Sequence, residues 1–398
     1  MVRFRWVTTT ASVTLAAALA PASVHAATTL DFIGQVVIPS GTNAQGTVLG
    51  GLSGIDYNPA TGSYIAISDD RSQFNSARFY TLDLALSSSA FSGVDFTGST
   101  VLLQPGGAAY PLNQIDPEAI RFYGSNQIIY TSEGEDQPAL GRVASPFVRI
   151  ANLDGSYVSD FDVPSLFDPT ATSGIRNNLA FESLTVTPGG TIVTATENAL
   201  KQDGPAATLA SGSPARLQTF DAAGMPLAQY VYEVDPVAEL PVPADAFTTN
   251  GLTDLLAVTD TRFLGIERSY SVGAPGTGYA IKLYEFDIGG ANDVSGIEAL
   301  TGGAIPLSKS LVFDLNTLGI PLDNIEGITF GETLANGNRS LILVSDNNFS
   351  DAAFTQVMAF EVKSAVPEPS TWGMMLLGFA GIGATARRRR RRRQSAIA

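Results

Sequence analysis

Cysteine is absent from this chain, and histidine occurs once, at His25. Without cysteine there is no disulfide, no thiolate metal site and no cysteine nucleophile. His25 lies near the N-terminus, and the residues after it carry no imidazole. That excludes Ser-His-Asp catalysis in its usual form, histidine-phosphate intermediates, zinc sites of the His type and a near-neutral imidazole base. Catalysis is left to carboxylates, Arg, Lys, Tyr or metal-bound water, and a metal would meet oxygen ligands, which point to calcium or magnesium. Charge is scarce as well, 15% of residues against 44% hydrophobic, which supports a large core and argues against disorder in the body.

Both ends read as processing signals. Arg3 and Arg5 precede the apolar stretch Val7 to Ala20, and Val24-His25-Ala26 offers small residues for signal-peptidase cleavage before Ala27. A membrane anchor is the alternative, and the run is shorter than the roughly 20 residues a span needs. At the other end Val366-Pro367-Glu368-Pro369-Ser370 is followed by an almost uncharged stretch, Thr371 to Ala386, and then by Arg387 to Arg393. This order resembles the PEP-CTERM sorting tail of Gram-negative bacteria. A helix over the apolar stretch would reach about 24 Å, short for a transmembrane helix, with the arginines holding its end on the cytoplasmic side. A nucleic-acid role for the arginines is disfavoured, because they abut an apolar span and the chain holds no other basic cluster. The resemblance implies transient anchoring in the inner membrane, cutting near Pro367-Glu368-Pro369 by an exosortase-type enzyme, and delivery to the cell surface or extracellular matrix. The expected layout is a signal peptide over 1–26, one domain over 27–365 and a sorting tail over 366–393.

Nine of the 23 basic residues but only one of the 38 acids lie in these ends, so the body has 14 basic and 37 acidic residues and a charge of about −23. Such a polyanion repels nucleic acid and anionic membranes and favours divalent cations or cationic ligands; plain solubility of an exported protein explains the same charge.

Within the body, five times an acidic or small polar residue opens an apolar run, and a second run then ends on Asp or Glu. The copies run from Ser53 to Asp69-Asp70-Arg71, Glu118 to Glu133, Glu182 to Glu197-Asn198, Asp254 to Glu267-Arg268, and Glu326 to Asp346, with openings 65, 64, 72 and 72 residues apart. A third run follows in each, as in Arg78 to Asp83 or Phe147 to Asn152. The runs are rich in Ile, Val, Thr, Phe and Tyr and are bounded by turn residues such as Pro188-Gly189-Gly190, which predicts short strands. The fold class is therefore all-β, a β-propeller of five to six blades, closed by pairing of Leu30 to Pro39 with Phe354 to Val362.

In an antiparallel hairpin the first residue of one strand lies beside the last residue of the next, so the opening and closing acids of each copy meet at one end. The expected metal ligands are Asp69, Asp70, Glu118, Glu133, Glu182, Glu197, Glu267, Glu326 and Asp346, with Ser53, Asp254 and Asn198 nearby and Arg71, Glu182 and Arg268 as catalytic candidates. Crowded carboxylates need cations, protons or arginines to neutralise them. A calcium-filled mouth is one reading; capping of strand ends by these acids is the other.

The copies resemble the esterase-like, phytase-like propeller family over roughly Leu30 to Val362. The resemblance is carried by Gly51-Leu52-Ser53-Gly54-Ile55-Asp56, Asp116-Pro117-Glu118-Ala119-Ile120, Phe181-Glu182-Ser183-Leu184 with Thr196-Glu197-Asn198, Leu264-Gly265-Ile266-Glu267-Arg268, and Asn324-Ile325-Glu326-Gly327-Ile328 with Val344-Ser345-Asp346-Asn347-Asn348-Phe349. It implies esterase or phosphoesterase activity, related in concept to calcium-dependent propeller phytases, on a small-molecule ester or phosphoester. The chain departs from the pattern at Ser53, where other copies carry an acid. A non-catalytic propeller binding matrix or surface partners suits the same residues.

Overall fold

The computed structural model describes residues 28–300 and 304–364; the expected signal peptide, membrane span and sorting tail lie outside them. Five four-stranded antiparallel sheets follow one another along the chain. Their innermost strands are Leu52–Asn58, Pro117–Tyr123, Phe181–Val186, Thr248–Ala257 and Asn324–Thr333, each touching its two neighbours around a common axis. This is a five-bladed propeller, at the lower of the two expected blade numbers. The third runs read in the sequence form the third strands, and in the first four repeats a fourth strand plus outer loops fills the rest.

Both faces of a blade are buried against neighbours, and the strand sequences show it. In Ser63–Ser68 the side chains of Tyr64 and Ala66 pack toward blade five while Ile65 and Ile67 pack toward blade two. Successive strand residues point to opposite faces, so a strand covered on both sides reads as an unbroken apolar run. Among the described residues, five clusters of buried apolar side chains lie one between each pair of neighbouring blades.

The ring closes as the sequence predicts. Thr28–Pro39 pairs antiparallel with Phe354–Ser364 and becomes the outermost strand of blade five, in the register Leu30 to Val362 and Pro39 to Phe354. Among the described residues, no helix is long and apolar enough to cross a membrane.

Near the axis the inner strands approach so closely that side-chain size is limited. A Cβ on Gly54 would lie 2.8 Å from the carbonyl oxygen of Glu118 and 2.9 Å from Cα of Ala119. Both are backbone atoms of the next blade and cannot swing aside. Gly54→Val is therefore expected to lower stability by about 2–3 kcal/mol, read as the urea midpoint; an unchanged midpoint would show that the inner strands separate at little cost.

Candidate acidic mouth

Each inner strand carries a bulge near its start, and the bulge decides which side chain reaches the axis. The pairing skips between Leu52 and Gly54, Pro117 and Ile120, Phe181 and Ser183, Leu252 and Asp254, and Ile325 and Gly327. The extra residues are Ser53, Glu118, Glu182, Thr253 and Glu326. An unpaired bulge residue re-aims its side chain, and bulges recur beside functional sites. Each second strand supplies one more residue, just past the partner of the pre-bulge position: Asp69, Glu133, Glu197, Arg268 and Asp346. Seven carboxylates, two hydroxyls and one guanidinium thus crowd one end of the axis.

Blade four departs from the sequence alignment by one residue. Asp254, the expected opening acid, stands one position beyond its bulge and lies deeper along the axis, wholly buried. It receives two hydrogen bonds from Arg121 Nη2, at 3.0 and 2.8 Å, and others from the backbone N–H of Leu184, Leu255 and Ile328. The Arg121–Asp254 pair spans the axis and forms the floor of the mouth. Glu267, an expected ligand, pairs with Leu252 and so points to the other face of the blade. There it is bonded by Tyr232 Oη, the Asp235 N–H and Lys309. Arg268 takes the place that an acid holds elsewhere.

Asp70 is also displaced from the expected set. Its carboxylate accepts hydrogen bonds from the N–H groups of Gln73, Phe74 and Asn75 and an ion pair from Arg78 at 2.8 Å, so its oxygens organise a loop. Asn198 bridges Asn250 and Ala207 away from the ring. Ser53 donates to the Glu118 carbonyl, 2.7 Å away, and stitches blade one to blade two. Asp116 was not expected here. It precedes Pro117 in the motif quoted above and reaches the mouth beside Glu118 and Glu133.

The geometry is electrostatically demanding. In two triads, Asp116 with Glu118 and Glu133, and Glu133 with Glu182 and Glu197, one oxygen from each residue lies within 4.8 Å of the others. Burial, reinforced by neighbouring carboxylates, pushes Glu118, Glu133, Glu182 and Asp346 well above the ordinary carboxylate range. Burial also pushes Asp69 up to about 8 and, opposed by Arg268 and Arg71 respectively, Glu197 up to about 7 and Asp116 up to about 6. Two arginines partly balance the ring. Arg71 binds both oxygens of Asp116 at 2.7 and 2.6 Å and the Asn178 side chain at 2.7 Å. Arg268 lies 3.0 Å from Glu326 and 3.5 Å from Glu197; burial disfavours its charge, but these carboxylates outweigh burial and hold its pKa above the usual value.

Strand-end capping accounts for only part of this. One oxygen of Glu133 accepts from the Ala180 N–H and one of Asp346 from the Asn348 N–H. The other Glu133 oxygen, and Oδ1 of Asp69, are buried without a hydrogen-bond partner. Leaving a buried carboxylate oxygen unpaired is costly. Oxygen-only donors at this spacing fit a hard divalent cation, which accepts several carboxylates at once. The mouth opens into two connected hollows sharing Glu326, Asn178 and Asn348, one of about 840 Å³ beside Arg268 and Tyr279 and one of about 370 Å³ beside Arg71.

Residues 47–349 match the phytase-like family model, described as esterase-like activity of phytase, and residues 365–391 match the PEP-CTERM protein-sorting motif. No curated protein matches. Among solved structures, the chain is similar to the endo-arabinase of Bacteroides thetaiotaomicron VPI-5482, at 10% identity and a TM-score of 0.43, over 81% of this chain and 96% of that one. It is also similar to an exo-1,5-alpha-L-arabinanase from a bovine ruminal metagenomic library, at 8% identity and a TM-score of 0.39, over 78% and 92% of the two chains. Nothing about this chain's reaction follows from those two likenesses. The sorting motif marks an exported protein handled by an exosortase-type enzyme. With the family model spanning all five inner strands and both triads, this chain belongs to the phytase-like family.

Proposed function

We propose that this protein is an exported hydrolase of phosphate or carboxylic esters, working at the cell surface or in the matrix through calcium held in the acidic mouth. The observation that carries the reading is the pair of carboxylate triads sharing Glu133, with buried oxygens that no protein donor satisfies. Asp116, Glu118, Glu133, Glu182 and Glu197 would hold the ion or ions, with Asp69, Glu326 and Asp346 at the margin. Bound calcium supplies Lewis-acid polarisation of the ester and a water of lowered pKa. The chain's own groups do the rest. Arg268 and Arg71, both on the walls of the mouth, bind the anionic part of the substrate and oppose charge developing on its oxygens. Glu182, a member of the second triad, takes the proton from the attacking water as the bond to the ester's leaving oxygen breaks, and the alcohol or phenol departs with that proton. The Arg121–Asp254 floor closes the axis below, so substrate enters and product leaves by the mouth.

The test is a panel of nitrophenyl phosphate, phytate, nitrophenyl acetate and a lactone, assayed on the protein spanning Ala27 to Val366 with calcium and with chelator. Turnover with calcium that chelator abolishes is the expected result. Measured at calcium that saturates the variant, Glu182→Gln is expected to lower turnover by about a hundredfold or more while the protein stays folded, the scale of a lost general base. No turnover on any substrate by folded, calcium-loaded protein would replace this reading with a propeller that binds surface or matrix partners.

A further inference from the structure

We propose that the mouth selects esters bearing an aromatic ring, which seats on a platform formed by Phe74 and Phe349 at its lip; this deepens the hydrolase reading above and rests on it. The smaller hollow is lined by twelve residues, and apart from these two phenylalanines every one is charged or carries a side-chain amide. Two apolar rings among carboxylates contribute nothing to the core. Their centroids are 4.4 Å apart with planes 18° from parallel, a stacked pair, and Phe74 is 51% exposed. One face of the pair is therefore open to the hollow's entrance.

Both rings are held in place by specific backbone and side-chain contacts. Phe349 has φ 50° and Asn348 before it φ 49°, left-handed values that a bulky side chain rarely adopts. Strain of this kind persists only where the surroundings enforce it, and it gathers at ligand clamps. Here Asn347, fully buried, accepts hydrogen bonds from the Phe349 and Gly51 N–H groups. Gly50 leaves the ring its space, since a Cβ there would lie 2.7 Å from the Phe349 ring. Phe74 is fixed from the opposite side by Asp70, whose carboxylate accepts its N–H at 3.0 Å and whose second oxygen pairs with Arg78. Asp70 thus acts as a positioning residue for the platform. A substrate ring stacked on the open face of Phe74 places a phosphate or carboxyl group over the acids and beside Arg71. An inositol polyphosphate has a saturated ring with no π-face to stack and a rim of charge, so aryl monoesters are preferred over inositol polyphosphates.

The inference is tested by calorimetric titration of the calcium-loaded protein with phenylphosphonate and methylphosphonate, two probes that are not hydrolysed. Phenylphosphonate is expected to bind about tenfold more tightly, the upper range for one aromatic contact. Phe74→Ala is expected to shrink that ratio to about twofold or less, with methylphosphonate affinity unchanged. Phe74→Leu, which keeps apolar bulk but no ring, is expected to do the same and serves if the alanine variant fails to fold. Equal binding of the two probes, or a ratio indifferent to both variants, would overturn the platform while leaving the hydrolase reading intact if esters are turned over. Binding of neither probe, with no ester turned over, would remove both.

Discussion

Treated with chelator, the protein is expected to melt at progressively lower temperature as pH rises from about 5 to about 8, the window set by its displaced carboxylates. In the unfolded chain these groups titrate near 4. In the folded mouth burial holds Asp116 up to about 6, Glu197 to about 7 and Asp69 to about 8, with Glu118, Glu133 and Glu182 also raised. The native state therefore binds more protons than the unfolded state across this range, unfolding releases them, and stability falls with rising pH. A loss on the order of 3–5 kcal/mol follows from one pKa unit being worth about 1.4 kcal/mol. For a body of this size that is about 5 °C in melting temperature. Calcium at a hundred to a thousand times its dissociation constant should restore roughly 3–4 kcal/mol. Glu182→Gln should blunt both the pH slope and the calcium response. A melting temperature in chelator that is flat from pH 5 to pH 8 would mean that the ring is neutralised by protein groups alone.

The second large effect is expected at the floor. Arg121 donates to both Asp254 oxygens and, across the axis, to the carbonyls of Ile55 and Leu255. One guanidinium therefore ties blade two to blades one and four. Arg121→Met should cost about 3–5 kcal/mol, because it strands a buried carboxylate without its partner. Adding Asp254→Asn should return about half of that loss, since the amide oxygen in the Oδ1 position can still accept from Leu184 and Leu255 and no unpaired charge remains, while the Ile328 N–H, which bonds Oδ2, loses its acceptor. Urea unfolding of the single and double variants decides it. A double variant no more stable than Arg121→Met would locate the loss in the missing carbonyl contacts instead.

The five repeats, their strand character and the sealing of the ring were legible because each depends on a short-range pattern: turn residues, β-rich runs and spacing. Most of the acidic mouth was legible for the same reason. Blade four was misread because its copy was aligned on residue type. Asp254 and Glu267 look like the acids of the other copies, but the register makes Thr253 and Arg268 their equivalents. In a strand a shift of one residue turns a side chain to the opposite face, so a local error of one position moved two carboxylates out of the mouth. Arg121 carried a signal that was passed over: it is a charged residue in the middle of the apolar run Ala119-Ile120-Arg121-Phe122, where an axial partner is required. Phe74 and Phe349 had no such signal. Two aromatic residues 275 positions apart meet only because blades five and one are neighbours in the closed ring.

That closure also dictates the order of events in making the molecule. Thr28 lies opposite Ser364 in the sealing pair, so the first strand to be synthesised must wait for the last. Until then Phe354–Ser364 has a bare hydrogen-bonding edge and the flank of blade one facing blade five is uncovered, a state prone to pairing with other chains. Contacts of such sequence separation form slowly. Completion of the body is thus tied to arrival of its final strand across the membrane. The acids of blades five and one, Glu326, Asp346 and Asp69, come together only at that step, so the calcium capture proposed above would, at their side of the mouth, report a chain whose delivery is finished.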